Sequence, residues 1–426
     1  MKKRIVKFLI TLLVITSIFL FIPNNCYVKA SELSSNNTYP IVMVHGLFGW
    51  GNDELFGENY WGGFESLRDV LQNKGYTVFT PTIGSVSSNW DRACELYAYL
   101  KGGIVDYGEA HSKKYGHARY GRTFPGVYPS WGTLSKSNQL QKVHLIGHSM
   151  GGQTIRVLTQ LLENGDKDEI AETPKENISP LFVGDKHWVD SVTTIATPHD
   201  GSQEAYKNYT LEPAFHDFFA AMAAQGGLTN SNNPCLDLKL DQWGLKKQPN
   251  ESFRDYYSRV FSSNIWKVTK DLSIWDLKPE GARELNSWVK TQNDVYYFSI
   301  SCEDTHKSLL TGHQIPNINM NLVLLQSSYF MGAFTNSKAG EVTVDSSWWE
   351  NDGIVSVISA ISPKVGSTDK VTNYNGTPQK GIWNYIGKIN NIDHISVVAF
   401  RNDLDKAYLE NKYIDLAKML YSLPQF

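Results

Sequence analysis

One short stretch limits this chain of 426 residues more than any bulk property does: Gly147-His148-Ser149-Met150-Gly151-Gly152, entered from an apolar run at 142–146 (KVHLI) and left through 153–162 (QTIRVLTQLL). The run before it reads as a buried strand. The run after it has helical spacing and meets a stop at Glu163-Asn164-Gly165. Gly-x-Ser-x-Gly between a strand and a helix is the pattern of a nucleophile elbow, a turn so sharp that only small flanking residues let the backbone pass and leave the serine Oγ exposed. In a chain with 33 glycines the three fixed positions alone would be weak evidence, but the strand, turn and helix around them make the signal specific. The helix that follows also favours negative charge at its N-terminus, beside the serine.

Other runs extend the same architecture. Residues 39–44 (YPIVMV) read as a strand feeding the loop at His45-Gly46, 189–196 (VDSVTTIA) as a β-branched strand ending at Thr197-Pro198, and 295–301 (VYYFSIS) as a further strand. Strands alternating with helices predict an α/β fold with a mainly parallel sheet covered by helices on both faces. Two long segments exceed what such a sheet needs: 85–130, crowded with Trp, Tyr, His and Gly, and a second at about 205–252. Loops of that length are functional or are ordered by something else.

The N-terminus carries Lys2, Lys3, Arg4 and Lys7, then an uncharged apolar run at 8–22, then a polar region ending Val28-Lys29-Ala30. That order predicts a secretory signal peptide at 1–30, with residues 31–426 as one secreted domain and no transmembrane segment in the mature protein. The apolar run falls short of the roughly 20 residues of a spanning helix, and Pro23 ends it. A formal net charge of −3 supplies no basic patch for nucleic acid. Cys26 leaves with the signal, so Cys94, Cys235 and Cys302 remain, an odd number that builds no complete disulfide framework. Stability therefore has to come from packing or from metal.

Serine is a poor nucleophile at neutral pH and needs a histidine base with an orienting carboxylate, in the chain order Ser, acid, His. His394 is the late histidine after Asn390-Asn391, with His306 and His313 as rivals, while His187, His199 and His216 come early. For the acid, Asp352 sits where a polar loop meets an apolar run, and spacing alone leaves Asp345 and Asp393 open. A tetrahedral oxyanion needs two N–H donors, for which the backbone of Met150 and of Leu47, in the His45-to-Gly49 loop, are the candidates. His45 itself reads as a loop or core histidine.

Longer blocks carry a resemblance: HGLFGWG from His45, NYWGG from Asn59, SSNWDRACELYA from Ser87, VDYGEAHSKKYGHARYGRT from Val105, TTIATPHDGS from Thr193, KLDQWGL from Lys239 and WENDGIVS from Trp349. With GHSMGGQT from Gly147 they span essentially the whole mature chain, which resembles the secreted bacterial lipases typified by the Geobacillus and staphylococcal enzymes. The resemblance implies an α/β-hydrolase fold, a triad of Ser149, Asp352 and His394, and oxyanion donors at Leu47 and Met150. It also implies a structural zinc held by Asp91, His111, His117 and Asp241, pinning the two long segments together. Two carboxylates and two imidazoles would close a tetrahedral site. The family's calcium site, by contrast, is expected to be absent, because its two acidic positions fall here on Ser396 and Arg401.

The resemblance places a lid in the second long segment, where Phe215, Phe218, Phe219, Met222 and Ala223 fall on one helical face at 208–232. The expected function is hydrolysis of acylglycerols and other apolar esters, at a lipid or polymer surface, through an acyl-enzyme. A broad carboxylesterase or polyester hydrolase would use the same triad. A hydrolase with catalytic zinc and a non-catalytic secreted binding protein are the readings from other classes.

Overall fold

Seven strands form one sheet in which every neighbouring pair is parallel. In the computed structural model, which describes residues 37–52, 54, 59–63, 65–207, 237–398 and 406–425, these strands are β1 (Ile41–Val44), β2 (Val78–Phe79), β5 (Val143–His148), β6 (Val189–Ile195), β7 (Tyr296–Glu303), β10 (Val371–Asn373) and β11 (Trp383–Asn390). Two antiparallel ribbons stand apart from it: β3 (Gly103–Asp106) with β4 (Tyr120–Phe124), and β8 (Thr305–Lys307) with β9 (Gln314–Pro316). The order across the sheet is β10-β11-β7-β6-β5-β1-β2, which puts β5, the strand that ends in the elbow, inside the sheet.

Alternation along each strand explains why the sheet is buried on both sides. Ile41 and Met43 of β1 enter one apolar cluster while Val42 and Val44 enter another. In β5, Ile146 joins the first and Val143 and Leu145 the second. The first cluster includes Tyr413, Leu416 and Leu420 of the C-terminal helix Lys406–Tyr421. The second includes Ile155, Leu158 and Leu162 of helix Met150–Asn164.

Residues 85–130 carry regular structure, and helix Asn89–Lys101 packs into the second apolar cluster. Ser88 caps helix Asn89–Lys101 by accepting from the Asp91 N–H at 3.2 Å, and Gly102 ends it at φ +86°. Then come β3, helix Glu109–Tyr115 and β4. The second ribbon, β8–β9, lies downstream of β7 and was not anticipated. Cys94 and Cys302 are buried thiols, each pushed up in pKa by burial, and neither is in a disulfide. The signal region at 1–30, the lid segment at 208–232, Cys235, His216 and Arg401 lie outside the described residues.

Candidate active site

Loops at the carboxyl ends of parallel strands assemble this site, the place where an open α/β sheet presents its backbone to a ligand. Ser149 follows β5 in a left-handed conformation, φ 55° and ψ −132°, a strained position for a residue with a side chain. Its N–H donates to the Ile195 carbonyl at 2.9 Å, tying the turn to the end of β6. Two glycines make the turn sterically feasible: a Cβ on Gly147 would lie 2.5 Å from the Gly151 backbone, and one on Gly151 would lie 2.3 Å from the Val44 carbonyl.

His394 and Asp352 reach the serine from two other loops. The His394 Nε2 lies 2.8 Å from Ser149 Oγ, and its Nδ1 lies 2.8 Å from Asp352 Oδ2. Asp352 Oδ1 accepts from the N–H groups of Ile354 and Val355 at 3.0 and 2.7 Å, which locks the carboxylate's orientation. The rivals are engaged elsewhere. Asp345 caps the turn Ser346–Trp348, Asp393 accepts from Asn321, Ile395 and Ser396, and His306 pairs with Asn317. His313 packs on Trp349. The Ser396 hydroxyl donates to Asp393 at 2.7 Å.

The parallel register Val44↔Gly147 places the loop after β1 beside the elbow. A Cβ on Gly46 would lie 2.7 Å from the Ser149 Cβ, so only glycine allows this approach. Among the described residues, neither Leu47 N–H nor Met150 N–H donates to a protein acceptor, whereas Phe48 N–H bonds the Ser85 carbonyl and Gly49 N–H the Gly46 carbonyl. Leu47 follows Gly46 and Met150 follows Ser149, so both N–H groups belong to the two turns that meet at the serine.

Three residues that sequence reasoning did not single out hold this geometry. The Arg92 guanidinium is fully buried and donates to the carbonyls of His45 and Gly84 and, at 2.9 Å, to Thr154 Oγ1 on the nucleophile's helix. Burial lowers its pKa to about 10, so it remains charged at neutral pH. The Tyr60 hydroxyl accepts from Gly46 N–H at 3.0 Å and lies 2.6 Å from His148 Nδ1, while His148 Nε2 is 3.0 Å from the His394 carbonyl. Burial, with His394 nearby, drives the His148 pKa well down. A neutral His148 accepts from Tyr60 and donates to His394, completing a relay from the loop after β1 to the loop after β11.

A second cluster joins three residues of 85–130 to Asp271. Asp91, His111, His117 and Asp271 bring one ligand atom each within 4.8 Å of one another. The His111 Nε2 is 3.5 Å from Asp91 Oδ1 and 3.1 Å from Asp271 Oδ1, and the His117 Nε2 is 3.1 Å from Asp271 Oδ2. Asp91 Oδ1, Asp271 Oδ2 and both Nε2 atoms are buried without a hydrogen-bond partner. Burial alone would lower the His111 pKa, but Asp271 and Asp91 outweigh it and raise it to about 9. His117 Nδ1 lies 2.9 Å from the Ala118 carbonyl, the outer contact that turns Nε2 inward, and the His111 ring stacks on Trp90 at 4.7 Å. Orphaned, convergent nitrogen and oxygen donors of this kind fit a divalent cation.

This corrects one expected ligand. Asp241 is not in the cluster: it pairs with Arg122 at 2.7 Å, a cation that Asp237 shares at 3.0 Å. Its neighbour Gln242 points inward instead and donates to Asp91 Oδ2. Asp271 takes the place because Leu272 bridges antiparallel to Ser87 and Ser273 N–H bonds the Val86 carbonyl, which docks the segment on the start of 85–130. No local pattern around Asp271 marks it in the sequence.

A parallel seven-stranded sheet with a serine elbow, a histidine and an acid at its carboxyl ends defines an α/β-hydrolase fold. The family model described as the lipase-like C-terminal domain matches residues 37–422, and the chain belongs to that family. It is similar to Lipase 1 of Staphylococcus aureus, 40% identical over 382 residues. That match takes in 87% of this chain and 52% of the relative, so the chain spans about half the length of the curated relatives it matches. Among solved structures, EstA from Clostridium botulinum is 48% identical at a TM-score of 0.84, covering 92% of this chain and 88% of that one. Lipase 1 from Pelosinus fermentans is 46% identical at 0.82, covering 91% and 99%. The Staphylococcus hyicus lipase is 35% identical at 0.75, covering 91% and 96%.

Proposed function

We propose that this chain is a serine ester hydrolase, a lipase that cleaves acylglycerols and other apolar esters through an acyl-enzyme on Ser149. The observation that carries the reading is the continuous line of contacts from Ser149 Oγ through His394 to Asp352, 2.8 Å at each step. His394 takes the serine proton as Oγ attacks the ester carbonyl, then gives it to the leaving alcohol. Water, deprotonated by the same imidazole, releases the acid. Asp352 holds the tautomer with the proton on Nδ1. The N–H groups of Leu47 and Met150 receive the oxyanion, and Arg92 and the Tyr60–His148 relay keep those donors in place.

Asp91, His111, His117 and Asp271 are suited to hold a zinc ion, which with four protein donors would serve a structural role and leave no position for substrate. This disfavours a hydrolase with catalytic zinc. No helix among the described residues is long and apolar enough to cross a membrane. The signal pattern at the N-terminus supports export to the medium.

The test is to trap the enzyme with a p-nitrophenyl alkylphosphonate and map the adduct by mass spectrometry, while assaying emulsified triglyceride, soluble short-chain ester and aliphatic polyester side by side. A single adduct on Ser149 with turnover of triglyceride supports the lipase reading. Turnover confined to soluble esters or polyester makes the chain a carboxylesterase or polyester hydrolase on the same triad. An adduct elsewhere, or none, overturns the proposal.

A further inference from the structure

A second group of metal-type donors lies at the opposite end of the helix that begins at Ser149. Glu163 stands near the C-terminus of helix Met150–Asn164, about 21 Å from the nucleophile at 1.5 Å per residue. His187 comes just before β6 and Asp294 just before β7, at the amino ends of those strands. The His187 Nδ1 is 2.7 Å from Glu163 Oε2 and 3.1 Å from Asp294 Oδ2, and its Nε2 is 3.6 Å from Asp185. One ligand atom each from Glu163, His187 and Asp294 lies within 4.8 Å of the others.

Hydrogen bonds outside the cluster also hold these three segments together. Asp185 N–H bonds the Glu163 carbonyl at 2.9 Å and Lys186 N–H the Leu162 carbonyl at 3.0 Å. Asn164 donates to Gln292 at 2.9 Å, which ties the helix end to the segment carrying Asp294.

A salt-bridge cluster accounts for this arrangement incompletely. One Nδ1–H cannot make full hydrogen bonds to two carboxylates at once. The Glu163 side chain is only 5% exposed, its Oε1 is buried with no hydrogen-bond partner, and its carboxylate sits at the negative end of the helix dipole. Burial first, and Asp294 next, raise its pKa to about 7, with His187 and Lys142 acting in the other direction. A divalent cation among the three would give the buried Glu163 carboxylate a ligand bond and neutralise both carboxylates. His187 is half exposed, which leaves an entry path and room for water ligands. A tetrahedral ion needs its donors roughly 3.3 Å apart, so the 2.7 and 3.1 Å separations have to open by a few tenths of an ångström, within reach of small side-chain rotations.

We propose that Glu163, His187 and Asp294 form a second, exchangeable site for a zinc-like divalent cation, separate from the Asp91 cluster and from the catalytic serine. Two carboxylate oxygens with one imidazole nitrogen select a borderline ion over calcium, which takes oxygen ligands. The bound ion would fasten the end of the nucleophile's helix to the loops that enter β6 and β7.

The test is calorimetric titration of Zn2+ into full-length mature protein already loaded at the Asp91 cluster, with elemental analysis before and after and Ca2+ as a parallel titrant. Wild type should take up one further Zn2+ and gain in melting temperature. Glu163→Gln and His187→Asn should each weaken that uptake by about tenfold or more, keeping the first metal and the hydrolysis of a soluble ester. Circular dichroism of the metal-stripped variants checks that they fold. Absence of a further equivalent in wild type, equal uptake in both variants, or equal uptake of Ca2+ would overturn the proposal.

Discussion

The loops that meet at Ser149 and the cluster around Asp91 are both buried groups of acids and imidazoles, yet they are satisfied in opposite ways. Along the line from Ser149 Oγ through His394 to the backbone behind Asp352, each side-chain group has a protein partner. Among Asp91, His111, His117 and Asp271 the converging atoms have none. A complete hydrogen-bond line moves protons, whereas unpartnered donors of mixed type hold a cation. On the proposed reading, residue types that overlap almost entirely build a reacting centre in one place and a fastening in the other.

The sharpest way to break this contrast is Asp352→Asn. The amide oxygen would turn toward the N–H groups of Ile354 and Val355, leaving the NH2 to face His394 Nδ1 and forcing the wrong tautomer. We expect kcat to fall by about 10⁴-fold with an unchanged fold and metal content, measured by ester hydrolysis and elemental analysis. The mirror-image experiment is Asp271→Asn beside Asp241→Asn. The first should lose most of its metal and a few kcal/mol of stability, with a lower melting temperature that chelation reproduces in wild type. The second should keep its metal. If Asp241→Asn strips the ion and Asp271→Asn does not, the ligand assignment is reversed.

Arg92 stands between the two regions, next to the ligand Asp91 in sequence and bonded to the loop that carries Leu47. One lysine ammonium cannot span the three acceptors that the guanidinium joins. Arg92→Lys should therefore lower kcat by about tenfold while metal content stays at one equivalent per chain at the Asp91 cluster, because the oxyanion donors loosen without being removed. A drop in metal content with unchanged kcat would assign Arg92 to the fastening instead. The smallest effect concerns Glu163 in chelated protein. Its pKa is raised on folding, so the native state binds the extra proton and stability falls as pH climbs from about 4.5 through about 7. Melting of wild type relative to Glu163→Gln should decline over that window, and a constant difference would show that the carboxyl is not held as described.

How much of each region the sequence discloses follows from how it is built. The elbow is one contiguous strand, turn and helix whose glycines are demanded by backbone contacts of 2.3 to 2.5 Å, so its chemistry is written locally. His394 and Asp352 follow from chain order, with the family resemblance choosing the acid. His111 and His117 come from the family resemblance, and the structure sets them on either side of the helix end at Gly116. The fourth ligand is not legible, because a single carboxylate such as Asp241 or Asp271 looks the same whether it faces an arginine or a metal. Only the pairing of Leu272 with Ser87 decides between them. Arg92, Tyr60 and His148 escape notice for a related reason: their partners are backbone carbonyls, a backbone N–H and side chains far away in the chain, which leave no trace in residue type.

The central claim rests on Ser149, and the most direct measurement compares p-nitrophenyl ester and emulsified triglyceride hydrolysis by wild type and Ser149→Ala at equal metal content. The account predicts loss of activity on the order of 10⁴-fold or more on both substrates, with the melting temperature and the metal unchanged. Substantial turnover by Ser149→Ala would contradict it and move the chemistry to another part of the molecule.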